Sequence, residues 1–390
     1  MNADATARLF RPLKLHLDRI GPFQDGVTTI PFLDNEGEPC SFFLLVSRNG
    51  RGKTTAMEAM YFLMNSLAGD IFADVIPPRL LLDNPQARAQ LDLLVEMGTQ
   101  TVVLSLMLGI PEDSSLEHWS TEKLEEYAAT AWDRYAVFPR WKGRFSERNA
   151  PDDDGILPQL AQVIHEATRR PPVGFGVNDL NPETAPVLLY FPSNRDISRV
   201  PETERRTIGR PMNWDYQPAR RFDQDTAQWS SSLDNLLVWL KWLDEARFEA
   251  ACQTINETVF KGSQKRIIGV RRDPPEAIVE NEGQRHRLDQ LSSGEKSLIV
   301  LFLLLSAHMT RNTIVLIDEV DLHLHPEWER RVVQQLKNLL RQHAGLTVII
   351  SAHSKDVLQR FDVNIPELDM RKGGELLADE RPTDDVEGRA

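Results

Sequence analysis

The chain is poor in cysteine and in basic charge. Cys40 and Cys252 are the only 2 cysteines among 390 residues, and they lie far apart in the sequence. This excludes a disulfide framework and gives no support to a cysteine-based zinc site. The 58 acidic residues outnumber the 45 lysines and arginines, for a net charge of −13. Such a balance argues against a protein that coats nucleic acid through bulk charge, although it does not exclude local basic patches.

Long apolar runs are also missing. No uninterrupted apolar stretch reaches the length of a membrane-spanning helix. The first residues, M-N-A-D-A-T-A-R-L-F-R-P, lack the apolar core of a secretion signal. We therefore expect a cytoplasmic protein without membrane contact. The 41% of hydrophobic and 26% of charged residues are typical of a globular protein with a sizeable core.

The first motif that carries chemistry lies between an apolar strand and a helix. Phe42–Val46 has strand length, S-R-N-G-R-G-K-T-T follows it, and Ala56–Leu67 has helical periodicity. Strand, glycine-rich turn and helix form the context of a P-loop, which binds phosphates through backbone N–H groups. Lys53 would reach the β- and γ-phosphates as a catalytic cation, and the Thr54 hydroxyl would help to hold Mg²⁺. The predicted ATP contacts are Asn49, Gly50, Arg51, Gly52, Lys53, Thr54 and Thr55.

One residue departs from this pattern. Ser47 stands where G-x-x-x-x-G-K-[ST] has its first glycine. Serine tolerates unusual backbone angles less well than glycine, so the shape of the loop depends on this position.

An acidic pair follows a second apolar strand. Thr313–Ile317 runs straight into D-E-V-D-L-H-L-H-P, which places Asp318 and Glu319 where doubly wound sheets bind their ligands. We predict that Asp318 shares Mg²⁺ with Thr54. Glu319 would be a catalytic residue that orients or deprotonates the attacking water. His353, in S-A-H-S after the last predicted strand, would hydrogen-bond the γ-phosphate and sense its loss.

A second phosphate-binding helix terminus is predicted at S-S-G-E, residues 292–295. A serine hydroxyl and flexible backbone amides stand there at the start of the apolar helix Ser297–His308. One nucleotide has little need of two such termini within one subunit.

Four motifs thus stand in a fixed order: S-R-N-G-R-G-K-T-T, L-S-S-G-E-K, I-V-L-I-D-E-V-D-L-H-L-H-P and V-I-I-S-A-H-S. Together they resemble the ABC-type ATPase heads of the SMC/RecF/OLD-like branch. D-L-H-L-H-P and S-A-H-S are similar to the OLD-like ATP-binding proteins of bacterial anti-phage systems. Y-F-P-S-N-R at 190–195 and L-L-V-W-L-K-W-L-D-E at 236–245 resemble the same group. The likeness covers residues 10–70 and 186–360.

The resemblance implies a homodimer or higher oligomer in which two heads sandwich two ATP molecules. The P-loop, Asp318, Glu319 and His353 would act within one subunit. Four residues would contact the other subunit's ATP in trans: Ser292, Ser293, Gly294 and Glu295. The glutamine of the family's Q-loop stays open among Gln86, Gln90 and Gln100. OLD-like nucleases append a Toprim domain, but too few residues follow His353 for one, so we expect any nuclease or toxin effector to be a separate protein.

The expected fold class is α/β: a P-loop NTPase of ABC-ATPase head type, with a mixed sheet core, an antiparallel N-terminal β-subdomain and a helical insertion. We predict an N-terminal lobe over 1–110, a partly helical insertion over 111–185, a C-terminal lobe over 186–370 and a disordered tail over 371–390.

Three hypotheses for function follow. The first is an ATPase that senses or regulates within a prokaryotic defence system. The second is a RecF-like DNA repair ATPase, which would need a basic surface such as Arg140–Arg148 or Arg205–Arg221. The third is a scaffold gated by nucleotide with slow turnover. Nucleic acid therefore stays open as a partner.

Overall fold

The computed structural model describes residues 7–46, 50–68, 84, 86–110, 114–137, 155–169, 185–212, 214–223, 227–243, 246–362 and 371–376. The predictions made for Ser47, Asn49 and the Arg140–Arg148 surface lie outside the described residues.

The described secondary structure alternates between strands and helices along much of the chain. The strands are β1 (Ala7–Asp18), β2 (Thr28–Pro31), β3 (Phe42–Val46), β4 (Arg88–Met97), β5 (Gln100–Leu108), β6 (Ala131–Val137), β7 (Val187–Phe191), β8 (Ala219–Arg221), β9 (Lys265–Arg272), β10 (Pro275–Asn281), β11 (Gln284–His286), β12 (Thr313–Ile317), β13 (Thr347–Ala352) and β14 (Lys372–Leu376). The helices are α1 (Lys53–Asn65), α2 (Thr121–Glu125), α3 (Ile156–Thr168), α4 (Leu233–Leu243), α5 (Arg247–Thr258), α6 (Ser293–His308), α7 (Pro326–Gln342) and α8 (Lys355–Asp362).

A six-stranded sheet forms the centre of the molecule, in the order β14-β3-β13-β12-β7-β8. Every neighbouring pair in it is parallel. Its inner strands are continuous apolar runs, such as F-F-L-L-V and T-I-V-L-I, because a parallel sheet is buried on both faces. Alternate residues divide between the two faces: Val315 and Ile317 join the core beneath α4–α7, whereas Ile314 and Leu316 join the core that contains α1.

A second sheet of five strands, in the order β2-β1-β4-β5-β6, packs on the α1 face. Its first four strands are antiparallel, which confirms the predicted N-terminal β-subdomain, and β6 pairs parallel with β5. The α/β fold class is therefore confirmed. The mixed strand pairing lies in this sheet, because the central sheet is parallel throughout.

The described part of the predicted insertion is attached to the N-terminal lobe. β6 extends the five-stranded sheet, and α3 buries Ile156, Leu160 and Ile164 in the core around α1. The segment is helical at α2 and α3, as expected, but β6 was not predicted. Its sequence, A-W-D-R-Y-A-V, has partly exposed polar residues because it is the last strand of its sheet. The boundaries at 111 and 185 stay a prediction.

The predicted disordered tail over 371–390 is wrong at its start. β14 pairs parallel with the P-loop strand β3, from Lys372 opposite Phe42 to Leu376 opposite Val46. Gly373 lies in close contact there: a Cβ on it would be 2.4 Å from the Leu33 carbonyl oxygen. The sequence K-G-G-E-L contains two glycines and two charges and no apolar run, so it does not predict a strand. The strand forms at the sheet edge through backbone pairing with β3.

The remaining elements cover the other face of the central sheet. β9, β10 and β11 form an antiparallel sheet in the order β11-β10-β9. Before them in the chain come two helices, α4 and α5. In the described part of the chain, no helix combines the length and apolarity that a membrane span requires.

Candidate functional site

The predicted site residues converge because four parallel strands end at one edge of the central sheet. The P-loop follows β3, Asp318 follows β12, His353 follows β13, and Arg195 lies just beyond β7. β12 is in the middle, paired with β7 on one side and β13 on the other. The carboxyl edge of a parallel sheet is where doubly wound folds bind their ligands.

The P-loop requires glycine for its shape and for space. Gly50 and Gly52 have φ angles of +79° and +98°, in the region that favours glycine. A Cβ on Gly52 would lie 2.4 Å from the Phe23 ring and 2.9 Å from Pro22 Cγ. The β1–β2 turn therefore packs directly on the loop. Gly52 is also the N-cap of α1, so the loop delivers the partial positive charge of a helix N-terminus to the sheet edge.

Lys53 begins α1 and is surrounded by acid. Its side chain is buried. Burial lowers the pKa of Lys53, and the carboxylates of Asp318, Glu319 and Asp321 only partly oppose this shift. The ammonium group of Lys53 and the N-terminus of α1 are suited to bind a polyanion such as a triphosphate.

Asp318 is held in place from two sides. Its Oδ2 accepts a 2.5 Å hydrogen bond from the Thr54 hydroxyl, and its Oδ1 accepts one of 2.6 Å from Ser351 Oγ. The carboxylate is 1% exposed. The hydroxyl of Thr54 and the carboxylate of Asp318 are oxygen donors of the kind that Mg²⁺ selects. These adjacent oxygens fit the predicted metal site.

Glu319 has an unusual backbone conformation. Its φ of +44° lies in the left-handed region, which costs a non-glycine residue about 1–3 kcal/mol. Its N–H donates to Ser351 Oγ at 2.8 Å, so one serine hydroxyl orients both acids. Its carboxylate Oε1 lies 3.7 Å from His353 Nε2, and both side chains are about one-third exposed. The two groups are therefore open to a water molecule or a phosphate.

Asp321 fixes the segment that carries His353. Its Oδ2 accepts the backbone N–H groups of His353 at 2.9 Å and Ser354 at 2.6 Å. Its Oδ1 is buried and finds no hydrogen-bond partner within the part of the chain that the structure describes. A buried carboxylate oxygen without a partner is costly, and here it lies beside the phosphate site, close enough to Lys53 to affect its pKa.

The S-S-G-E segment, residues 292–295, lies at the N-terminus of α6 and is called the signature below. Ser292 is the N-cap and exposed, Ser293 is exposed, and Gly294 is half-buried. A Cβ on Gly294 would lie 3.2 Å from the His323 carbonyl oxygen, so this helix end packs against the loop that leaves the acidic pair. The backbone N–H groups of a helix N-terminus in this position can bind an anion.

Glu295 makes its described side-chain contacts within its own subunit. Its carboxylate accepts from the Ser292 N–H at 3.1 Å and hydroxyl at 2.8 Å, and from Lys265 Nζ at 2.8 Å. Burial opposes ionisation, but the bonds from Lys265 and Ser292 outweigh it and lower the pKa of Glu295. The side chain thus closes a capping box in its own subunit, and its contact with a partner's ATP stays a prediction.

The three glutamines differ in their surroundings. Gln90 is fully buried, and its amide bonds to Asp92, Leu116 and Glu117, so it is not available to a nucleotide. Gln100 is exposed at the β4–β5 turn, and the Gln86 side chain accepts a hydrogen bond from Arg19. The identity of a Q-loop glutamine stays open between Gln86 and Gln100.

Sequence reasoning missed three residues of this site: Ser351, Asp321 and Arg195. Each lies inside a motif that was already of interest, respectively S-A-H-S, D-E-V-D and S-N-R. Nothing in those letters showed that the three side chains bind the backbone or side chains of the acidic pair and of His353.

Comparison with known proteins gives partial matches. Residues 182–358 match the family model described as "AAA domain, putative AbiEii toxin, Type IV TA system". That stretch contains the signature, the acidic pair and His353, but not the P-loop. The "Retron Ec83 probable ATPase" of Escherichia coli is 30% identical over 104 residues, which cover 24% of this chain and 19% of that protein. The "Retron Vc95 probable ATPase" of Vibrio cholerae serotype O1 biovar El Tor is 37% identical over 92 residues, which cover 21% and 17%.

The chain therefore spans under a fifth of the length of these curated relatives. Among solved structures, an Smc head domain bound to the C-terminal domain of ScpA, derived from Pyrococcus furiosus, aligns over 90% of this chain and 92% of that one. The identity is 13% and the TM-score 0.42, so the likeness adds nothing to the interpretation of the site. The motifs and their arrangement on the sheet resemble those of P-loop ATPases.

Proposed function

We propose that this chain binds ATP with Mg²⁺ at the carboxyl edge of the central sheet and hydrolyses it to ADP and phosphate. The observation that carries the proposal is the hydrogen bond from Thr54 to Asp318, which joins the P-loop helix to the acidic strand. Lys53, Asp318 and Glu319 thus surround one space, although Lys53 is more than 260 positions from the two acids in sequence.

The chain's own groups divide the work of binding. The backbone from Gly50 to Thr55 and the N-terminus of α1 bind phosphate oxygens, and Lys53 offsets the charge of the β- and γ-phosphates. Thr54 and Asp318 would hold Mg²⁺, which supplies charge neutralisation on the phosphates when bound.

Glu319 and His353 serve the chemical step. Glu319 orients the attacking water and accepts its proton, as a general base placed at the end of the central strand. His353, 3.7 Å from Glu319, is positioned to hydrogen-bond the γ-phosphate. Asp321 holds the backbone of His353. Loss of the γ-phosphate would therefore change the position of His353 and of the loop between β13 and α8.

Two copies complete each site. Ser292, Ser293 and Gly294 of one subunit bind the γ-phosphate held by the P-loop of the other, which yields a dimer with ATP at its interface. The exposure of Ser292 and Ser293 at a helix N-terminus supports this role. Glu295 contributes indirectly, by capping the helix that carries them.

At the level of the cell, the ATPase acts as a sensor or regulatory subunit of an anti-phage defence system with a separate effector, a nuclease or a toxin. Support comes from the resemblance to OLD-like proteins, from the retron names of the two relatives and from the toxin–antitoxin description of the matched family.

The Glu319→Gln variant tests the proposal. It should bind ATP as tightly as the wild type and accumulate an ATP-bound dimer on size-exclusion chromatography. Phosphate release should fall by about 10²–10⁴-fold, because the amide cannot accept the proton. If the wild type releases phosphate no faster than the variant, the chain is a nucleotide-gated scaffold and not an enzyme.

A RecF-like DNA repair function receives less support. Four arginines of the Arg205–Arg221 segment already have partners: Arg206 bonds to Glu276, Arg210 to Asp215, Arg220 to the Asp215 carbonyl, and Arg221 to Glu58 and Asp223. Three of these cations are paired with carboxylates of the same chain and Arg220 is buried, so they contribute little to phosphate binding.

A further inference from the structure

We propose that Arg195 is a positioning residue for ATP hydrolysis, which holds the backbone of Glu319 in its active conformation. The inference rests on the proposed role of Glu319 as general base. Arg195 touches neither the reacting atoms nor the carboxylate, and acts through the main chain.

The guanidinium of Arg195 connects three elements at the sheet edge. Nη1 donates to the carbonyl oxygens of Pro192 and Asp318, both at 2.7 Å. Nη2 donates to the carbonyl oxygen of Glu319 at 2.9 Å. Nε donates to Ser297 Oγ on α6 at 3.1 Å. The end of β7, the acidic pair after β12 and the first turns of α6 are thereby joined through one side chain.

Glu319 needs such support because its φ of +44° is unfavourable for a residue with a side chain. The conformation persists where the surroundings fix it from both ends. The Glu319 N–H donates to Ser351 Oγ. The carbonyl oxygen of Glu319 accepts from Arg195 and, at 3.0 Å, from the Leu322 N–H. Release of the carbonyl by Arg195 would leave the carboxylate free to turn away from the water.

The cost of burying this cation also indicates a purpose. Arg195 is 5% exposed, and burial lowers its pKa to about 10 against the opposing effect of nearby acids. It is still a cation at neutral pH. Within the described residues its hydrogen bonds go to carbonyls and a hydroxyl, so no direct carboxylate partner offsets its desolvation.

Only arginine can make this set of contacts. The carbonyls of Asp318 and Glu319 are successive in the chain, and the planar fork of a guanidinium reaches both from two nitrogens. Lysine has the charge but offers a single nitrogen on a flexible stem. Arg195→Lys therefore removes the fork and keeps the cation.

We expect Arg195→Lys to lower kcat for ATP by about 10–100-fold, the usual effect of losing a group that orients a catalytic residue. KM should change by less than about threefold, because the P-loop contacts are intact. An unchanged kcat would overturn the proposal.

Arg220→Lys is the matched control. Arg220 is also 5% exposed, its pKa is also lowered to about 10 by burial, and it bonds to a backbone carbonyl, that of Asp215. It lies on the outermost strand β8. We expect it to lower Tm as much as Arg195→Lys does and to leave kcat unchanged. Equal losses of kcat in the two variants would show a general effect of buried arginines and overturn the proposal.

Combination with Glu319→Gln separates positioning from other effects. If Arg195 acts through Glu319, the double variant Arg195→Lys/Glu319→Gln should release phosphate as slowly as Glu319→Gln alone. A further tenfold loss in the double variant would mean that Arg195 acts elsewhere. If Glu319→Gln itself retains full activity, the proposed function fails, and the failure is not that of Arg195.

Ser297→Ala keeps the experiment decisive if Arg195→Lys does not fold. It removes the bond to Nε and leaves the three carbonyl contacts in place. We expect a loss of kcat of about 2–10-fold with a small fall in Tm, since one hydrogen bond of the guanidinium is lost and its three carbonyl contacts remain. A folded Ser297→Ala protein with wild-type kcat and a non-folding Arg195→Lys protein would together assign Arg195 a structural role only.

Discussion

The two proposed phosphate-binding regions of this molecule differ in how they use their polar groups. At the end of β12, Asp318, Ser351 and Arg195 are buried and bonded to one another or to the backbone between them. At the start of α6, Ser292 and Ser293 are exposed, and the capping box of Glu295 satisfies the helix end without covering it.

The difference indicates whether each region binds its ligand within one chain or together with a second copy. The acidic edge is assembled within one chain, so its geometry is fixed before nucleotide arrives. The helix end is folded but open, which suits a surface that completes another molecule's site. On this view a change at the acidic edge alters the chemical step, and a change at the helix end alters assembly or stability.

The largest effect that would sharpen this contrast is expected from Ser351→Ala. The variant leaves the partly buried Glu319 N–H without its acceptor and removes the donor to Asp318. We expect kcat for ATP to fall by about 10–100-fold while the ATP-free protein stays folded, as judged by steady-state phosphate release and by Tm. Wild-type kcat would show that the acids do not depend on this hydroxyl.

Thr347→Val is the control for that variant. Thr347 begins the same strand, β13, and its hydroxyl is buried without a hydrogen-bond partner among the described residues. Replacement by the isosteric valine should leave kcat unchanged and Tm equal or higher.

A smaller effect, on stability, is expected from Glu295→Gln. The amide removes the charge that pairs with Lys265, so we expect a loss of about 1–2 kcal/mol in the free energy of unfolding at pH 7. The ionised form of Glu295 is favoured in the folded state because its pKa is lowered from 4.5. Its contribution is therefore present above that value and lost as pH falls through the folded-state pKa. Denaturation measured at pH 7 and at successively lower pH should show the difference between the two proteins shrinking only below pH 4.5.

The kinetic result of the same variant breaks or supports the contrast. If Glu295 only caps α6, KM for ATP should change by less than about twofold, whereas a direct ATP ligand would raise it about tenfold or more. Glu280→Gln serves as control, because its ion pair with Arg266 is 3.5 Å long and more exposed. We expect it to cost at most about 0.5 kcal/mol.

The four inner strands of the central sheet could be predicted because burial on both faces leaves continuous apolar runs. β14 could not, since K-G-G-E-L has no such run and relies on backbone contacts with β3. The helices followed from their periodicity, but the sequence did not show that 111–185 contributes β6 to the N-terminal sheet.

The convergence of the principal candidate residues at one sheet edge could be predicted because each motif places them after a strand. The supporting residues could not, because their contacts depend on register. Ile317 pairs with Ile350 on one side and with Phe191 on the other. That register places Asp318 beside Ser351 and brings Arg195 within reach of the acidic pair, and no motif states which strands are neighbours.

We propose that each ATP site combines the P-loop of one copy with the N-terminus of α6 of another. Mixing two inactive variants, Lys53→Ala and Ser293→Arg, tests it most directly. In a mixed dimer one site keeps an intact P-loop and an intact signature. Because random pairing makes half of all dimers mixed, equal amounts should recover about a quarter of wild-type phosphate release. A mixture as inactive as either variant alone would contradict the composite site.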